Sequence, residues 1–106
     1  MRIISGMHRS RIIKMVGVET TRETTDKVRG AIFNLISFYP FQGRVLDLFS
    51  GSGAMGLEAL SRGASYCMFN DSKPLAIKTI KENIAILKEE LNSEIMQKDY
   101  LDAIKK

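Results

Sequence analysis

With 106 residues, 44% of them apolar and 26% charged, the chain has the make-up of a single ordinary globular domain with one modest core. One cysteine (Cys67) excludes an internal disulfide, and one histidine (His8) leaves no Cys/His cluster for a structural metal. No apolar run approaches the ~20 residues of a membrane span or forms the core of a secretion signal, so the expectation is a cytoplasmic protein. The net charge of +4 lies entirely in residues 1–30, where seven basic side chains face three acids; the rest of the chain carries nine of each sign. Such an asymmetry is how an electrostatic footprint for nucleic acid would look, although basic termini are also common on soluble proteins.

Two short β-branched runs, Arg2-Ile3-Ile4-Ser5 and Arg11-Ile12-Ile13-Lys14, flank Gly6 and predict a hairpin or extended arm with basic edges. Residues 15–24 read as a loop, and the domain organisation follows: a basic arm over 1–23 and a cofactor-binding unit over 24–106. Thr24 or Thr25 caps a predicted helix whose apolar positions Val28, Ile32, Leu35, Ile36 and Tyr39 share one face, with Pro40 as its end. A buried strand over 44–49 follows. Beyond a glycine turn comes a helix of about 54–62 that stops at Gly63.

Tyr66-Cys67-Met68-Phe69 predicts a second buried strand, ending at Asn70-Asp71, and Ser72 with Pro74 starts the next helix. That helix, 73–91, has the apolar row Ile77, Ile80, Ile84, Leu87 and Leu91. Ile95-Met96 suggests a third strand that stops at Asp99, and 100–106 open another helix. The order βαβαβ behind an N-terminal helix implies a partial α/β, Rossmann-like parallel sheet with right-handed crossovers. Cys67, inside an apolar strand, reads as a small core hydrophobe.

The segment Val45-Leu46-Asp47-Leu48-Phe49-Ser50-Gly51-Ser52-Gly53 joins a buried-strand pattern to a turn where the backbone can approach a ligand, with helix N–H groups facing the same spot. Gly51, Gly53 and Gly56 also fit a dinucleotide fingerprint. Asp47 separates the two: a carboxylate repels a pyrophosphate but welcomes the sulfonium and ammonium of S-adenosylmethionine. Three acids, Asp47, Asp71 and Asp99, fall at the carboxyl ends of three successive predicted strands, which converge on one crevice in a doubly wound sheet. Asp71 stands 20 residues after Gly51, the spacing at which an acid receives ribose hydroxyls, and Asp99 would reach the adenine amine.

Met1-Arg-Ile-Ile-Ser-Gly6, Thr21-Arg22-Glu23-Thr24-Thr25-Asp26-Lys27-Val28-Arg29, Phe33-Asn34, Leu46 to Gly53 and Gly56 to Ala64 together resemble the bacterial RsmD-type ribosomal RNA methyltransferases, in order and over essentially the whole chain. The resemblance implies methyl transfer from S-adenosylmethionine to the exocyclic amine of a guanine in small-subunit ribosomal RNA. It places Asp47, Phe49, Gly51 and Gly53 at the methionine end of the cofactor, Asp71 at the ribose and Asp99 at the adenine. The segment Thr24 to Arg29 would close over it, and Arg2, Arg9, Arg11 and Lys14 would hold RNA phosphates. Glu23 replaces the proline of the family's Thr-Arg-Pro-Thr pattern, and Met15-Val16 stand where a proline is usual nearby.

The family's catalytic Asp/Asn-Pro-Pro-Tyr/Phe motif is missing, since the prolines are Pro40 and Pro74 alone. The chain therefore reads as the N-terminal half of such an enzyme, without a catalytic residue of its own, and strand 44–49 would keep an open edge that invites self-association. The competing readings are a non-catalytic RNA-binding or assembly module and a dinucleotide-binding fragment.

Overall fold

The structure, a computed structural model, describes residues 1–16, 26–35 and 43–104. Residues 17–24 of the predicted 15–24 loop, the Thr24/Thr25 cap, the arm boundary at 23, the helix end at Pro40 and the tail beyond Ile104 lie outside those residues.

The N-terminal runs form a hairpin. Ile3 N–H donates to the Arg11 carbonyl (3.0 Å), Ser10 N–H to the Ile3 carbonyl (2.8 Å) and Ile13 N–H to the Met1 carbonyl (2.9 Å), with Arg2 and Ile12 paired antiparallel. Strand alternation turns Ile3 and Ile13 into the core and Arg2 and Ile12 outward. Gly6 closes the turn at φ +87°, where a Cβ would sit 1.9 Å from the Ser61 carbonyl oxygen, so the hairpin lies directly against the helix that carries Ser61.

The first helix, α1, covers Asp26–Leu35. Its expected core face is corrected: Val28 and Ile32 are substantially exposed, while Arg29 and Gly30 are buried. A buried ion pair overrides the apolar periodicity. Arg29 donates from Nε to Glu58 Oε1 (3.2 Å) and from Nη2 to the Arg2 carbonyl, and Gly30 leaves room for Ile4.

Strands β1 (Arg44–Asp47), β2 (Tyr66–Asn70) and β3 (Ser93–Met96) form a parallel sheet in the order β1-β2-β3. Helices α2 (Ala54–Ser61) and α3 (Pro74–Leu87) connect them. Register sets Val45 beside Cys67 and Ser93, and Asp47 beside Phe69 and Ile95. One face of the sheet meets α2, α3 and the hairpin in a single core of Ile3, Ile13, Leu57, Leu60, Cys67, Phe69, Ile77, Ile80, Ile84 and Leu87. Gly56 is required there: a Cβ would come within 2.4 Å of Phe69 and 2.7 Å of Cys67 Sγ. Burial pushes the Cys67 thiol pKa well up, as befits a packing residue rather than a nucleophile.

Both helix ends are built the same way from different residues. Gly63 N–H donates to the Leu60 carbonyl and Ala64 N–H to the Ala59 carbonyl, a Schellman stop at the expected glycine. Lys88, at φ 56°, does the same for α3: Lys88 N–H donates to Ala85 and Glu89 N–H to Ile84. The expected helix over 73–91 therefore ends at Leu87, a 3₁₀ turn covers Glu90–Asn92, and Leu91 is 94% exposed instead of buried. The α3 N-cap is Lys73, with Pro74 in the first turn.

The strand expected to be buried on both faces is covered on one. Leu46 is 47% exposed and joins Met68 and Tyr66 along a groove of about 410 Å³, flanked by Ala103 and Ile104 of the short helix α4 (Tyr100–Ile104). Among the described residues β1 pairs with β2 alone, so its outer edge is open.

Candidate cofactor site

At the carboxyl end of β1 the chain leaves the sheet at Asp47, turns through Leu48 and Phe49, and enters α2 through Ser50-Gly51-Ser52-Gly53. Gly51 (φ 56°) and Gly53 (φ 86°) hold a left-handed conformation that suits glycine. Two carboxylates grip this bend from two strands. Asp47 Oδ2 accepts the Gly56 N–H in the first turn of α2 (3.0 Å), and Asp71 Oδ2 accepts the Gly51 N–H (3.0 Å). Asp71 Oδ1 also accepts the Lys73 N–H (2.9 Å). Burial raises the Asp47 pKa above its ordinary value, hydrogen bonds from Gly56 and Ser50 oppose the rise, and the nearby charge of Asp71 adds to it. A cationic ligand would relieve that repulsion. A pyrophosphate would deepen it.

The third strand tip is tied in by a residue that the sequence reading passed over. Asn70, buried at the end of β2, donates from Nδ2 to the Leu48 and Lys98 carbonyls (3.1 Å each) and accepts the Lys98 N–H at Oδ1 (3.1 Å). It thereby holds the ends of all three strands together. Asp99, next to Lys98, is exposed, and its Oδ1 accepts the Leu101 N–H (3.0 Å) as a cap of α4. Asp47 and Asp71 are thus joined around one turn, while Asp99 takes no part in those hydrogen bonds. Phe49, between Asp47 and the glycines, is 72% exposed.

The basic residues of the arm do not form one cluster. The turn of the hairpin meets Ser61 at the C-terminus of α2, where His8 N–H donates to Ser61 Oγ (2.9 Å), and His8 Nε2 lies 2.6 Å from Glu89 Oε2 just past α3. Arg9, exposed in that turn, is therefore at the end of the helices away from the glycine bend. Arg11 donates to the Ile86 carbonyl (2.7 Å), and Lys14 Nζ pairs with Glu82 (2.6 Å), whose pKa is lowered first by that hydrogen bond. Arg2 Nη1 donates to the Ser10 carbonyl (3.4 Å). These four lie along the hairpin, from the glycine turn towards the opposite end of α3.

Glu58 and Asn83 also escaped the sequence reading. Glu58, fully buried in α2, accepts Ile4 N–H (2.9 Å) and Arg29 Nε (3.2 Å) on one oxygen, and Ser5 N–H (3.1 Å) and Arg62 Nε (2.8 Å) on the other. The available signal was a charged residue on the apolar face of Leu57 to Leu60, with Arg62 four residues on. Among the described residues no acidic, His or Cys group suits a metal, and no helix is long and apolar enough to cross a membrane.

A parallel sheet with helical crossovers, a glycine bend at its carboxyl end and a half-buried acid under that bend define a Rossmann-like methyltransferase fold in part. The profile of the family described as Conserved hypothetical protein 95 matches residues 1–106. Ribosomal RNA small subunit methyltransferase D of Haemophilus influenzae is 35% identical over 105 residues, covering 98% of this chain and 54% of that protein. YlbH of Bacillus subtilis is 46% identical over 99 residues, covering 93% and 54%. The solved structure of yhhF from Escherichia coli superposes with a TM-score of 0.84 at 34% identity, covering 98% of this chain and 56% of that one. The chain belongs to this family, the RsmD family of methyltransferases, and spans about half the length of the relatives it matches.

Proposed function

We propose that this chain supplies the cofactor-binding half of an S-adenosylmethionine-dependent methyltransferase that acts on a guanine amine of small-subunit ribosomal RNA in the cytoplasm. The observation that supports it most is the pair Asp47 and Asp71 on one glycine bend, the first half-buried and carrying a raised pKa. Anionic charge concentrated under a bend with positive φ suits an adenosyl ligand that bears a sulfonium and an ammonium. When bound, that ligand would supply the methyl group.

In this reading Asp47, Phe49, Gly51 and Gly53 line the methionine end, Asp71 receives the ribose, and Asp99 meets the adenine. Arg2, Arg9, Arg11 and Lys14 contact RNA phosphates, which position the substrate without reading its sequence. Acceptor groups for the target amine and a ring to stack on the extruded base come from outside residues 1–106. Self-association through the open edge of β1 belongs to the same proposal.

Calorimetric titration with S-adenosylmethionine and with NAD tests the reading. Binding of the first alone, weakened about tenfold or more by Asp71→Ala, supports it; binding of NAD alone, or an unchanged affinity in the variant, contradicts it.

A further inference from the structure

Asn83 stands in the middle of α3, fully buried on a face otherwise made of Ala76, Ile77, Thr79, Ile80, Ile84 and Leu87. An amide there lowers helix propensity and needs partners for its donors and its acceptor. It finds them on two separate segments. Its Oδ1 accepts the Lys14 N–H (2.7 Å) and its Nδ2 donates to the Lys14 carbonyl (2.8 Å), so the side chain pairs with one hairpin residue as a neighbouring strand would. The same Nδ2 donates to the Ser52 carbonyl (2.8 Å), between the two glycines of the bend. Ser52 Oγ in turn points to Met1 Sδ (3.6 Å) at the open end of the hairpin.

From this geometry we propose that Asn83 is a positioning residue: it fixes Ser52 within the glycine bend and makes that placement depend on the hairpin. Asp71 holds the bend at the Gly51 N–H and Asp47 at the Gly56 N–H; between the two flexible glycines it is the buried Asn83 amide that sets the Ser52 carbonyl. Lys14, which shares that amide, also carries one of the charges assigned to RNA. The inference rests on the reading of the bend as the cofactor site and the hairpin as the RNA arm, and it adds that the two are coupled. RNA drawn onto Arg11 and Lys14 steadies the Asn83 bridge and tightens cofactor binding, and cofactor tightens RNA binding by the same factor.

The test is amide hydrogen exchange on the whole chain, with Gly53 N–H, which donates to the Ser50 carbonyl (2.8 Å), as reporter of the bend. Asn83→Asp keeps the size and the acceptor but removes both donors; Asn83→Leu removes all three bonds. Both should speed Gly53 exchange about tenfold or more while Cys67 and Phe69 stay as protected as in the unmodified protein. An unchanged Gly53, or an equal loss of protection in β2, would overturn the proposal.

If both variants fail to fold, native-state exchange on the unmodified chain decides. Lys14 and Gly53 amides should open together across a denaturant series, and separate openings would refute the coupling. A short RNA hairpin should raise S-adenosylmethionine affinity roughly fivefold or more in the unmodified chain and leave it unchanged in Asn83→Leu. Failure of that ligand to bind the unmodified chain at all would defeat the cofactor reading and leave the exchange result standing.

Discussion

The two faces of the sheet are built from similar apolar residues and fare differently. On one, Phe69 and Cys67 are wholly enclosed by α2, α3 and the hairpin; on the other, Leu46, Met68 and Tyr66 have the short α4 at their side and a groove open to solvent. Parallel sheets ordinarily have both faces covered. The contrast shows that the hairpin is more than a basic appendage. It contributes Ile3 and Ile13 to the core, and it donates two of the four hydrogen bonds that satisfy Glu58.

The comparison can be broken first at the covered face. Glu58→Leu would remove the carboxylate that Arg29, Arg62 and the Ile4 and Ser5 amides share, at a cost of about 3–5 kcal/mol in denaturant unfolding. Phe69→Ala should cost about 3–5 kcal/mol by loss of burial and the cavity left behind. Gly6→Ala combines a positive φ with a clash against backbone and should cost about 3 kcal/mol. Gly56→Ala presses on Phe69 and Cys67 and should cost about 1–3 kcal/mol. At the other extreme, Leu46→Ser on the open face should change stability by less than about 1 kcal/mol. Equal losses for Phe69→Ala and Leu46→Ser would erase the distinction between the faces. Sedimentation of Leu46→Lys sharpens it further: weaker self-association than the unmodified chain would assign that face and the β1 edge to an interface.

Much of this architecture is legible in the sequence. The βαβαβ order, the glycine bend and the stop at Gly63 follow from period, β-branching and a residue tolerant of positive φ. Other features were hidden because the forces behind them are not periodic. Val28 and Ile32 mark an apolar stripe on α1, yet an ion pair between Arg29 and Glu58, set by tertiary contacts, turns that helix the other way. The end of α3 at Lys88 was invisible because a lysine there adopts the left-handed conformation that the eye seeks in glycine. Asn70 and Asn83 look like ordinary polar residues until their partners, up to 69 positions away, are brought beside them.

The proposed cofactor binding turns on the charge of Asp47. Its folded pKa is raised above 3.8, so folding disfavours the ionised form. The group's contribution to stability is accordingly intact below that ordinary value and declines as pH climbs through the raised folded value. A cation placed against the carboxylate reverses the preference, because it favours the ionised form. Cofactor affinity is therefore expected to rise with pH across the same interval.

The most direct measurement is calorimetric titration of the chain with S-adenosylmethionine across a pH series, alongside Asp47→Asn. Affinity that increases through the Asp47 titration in the unmodified chain, and is at least about tenfold weaker and flat with pH in the variant, is the predicted result. Equal affinity and equal pH response in the two proteins would contradict it.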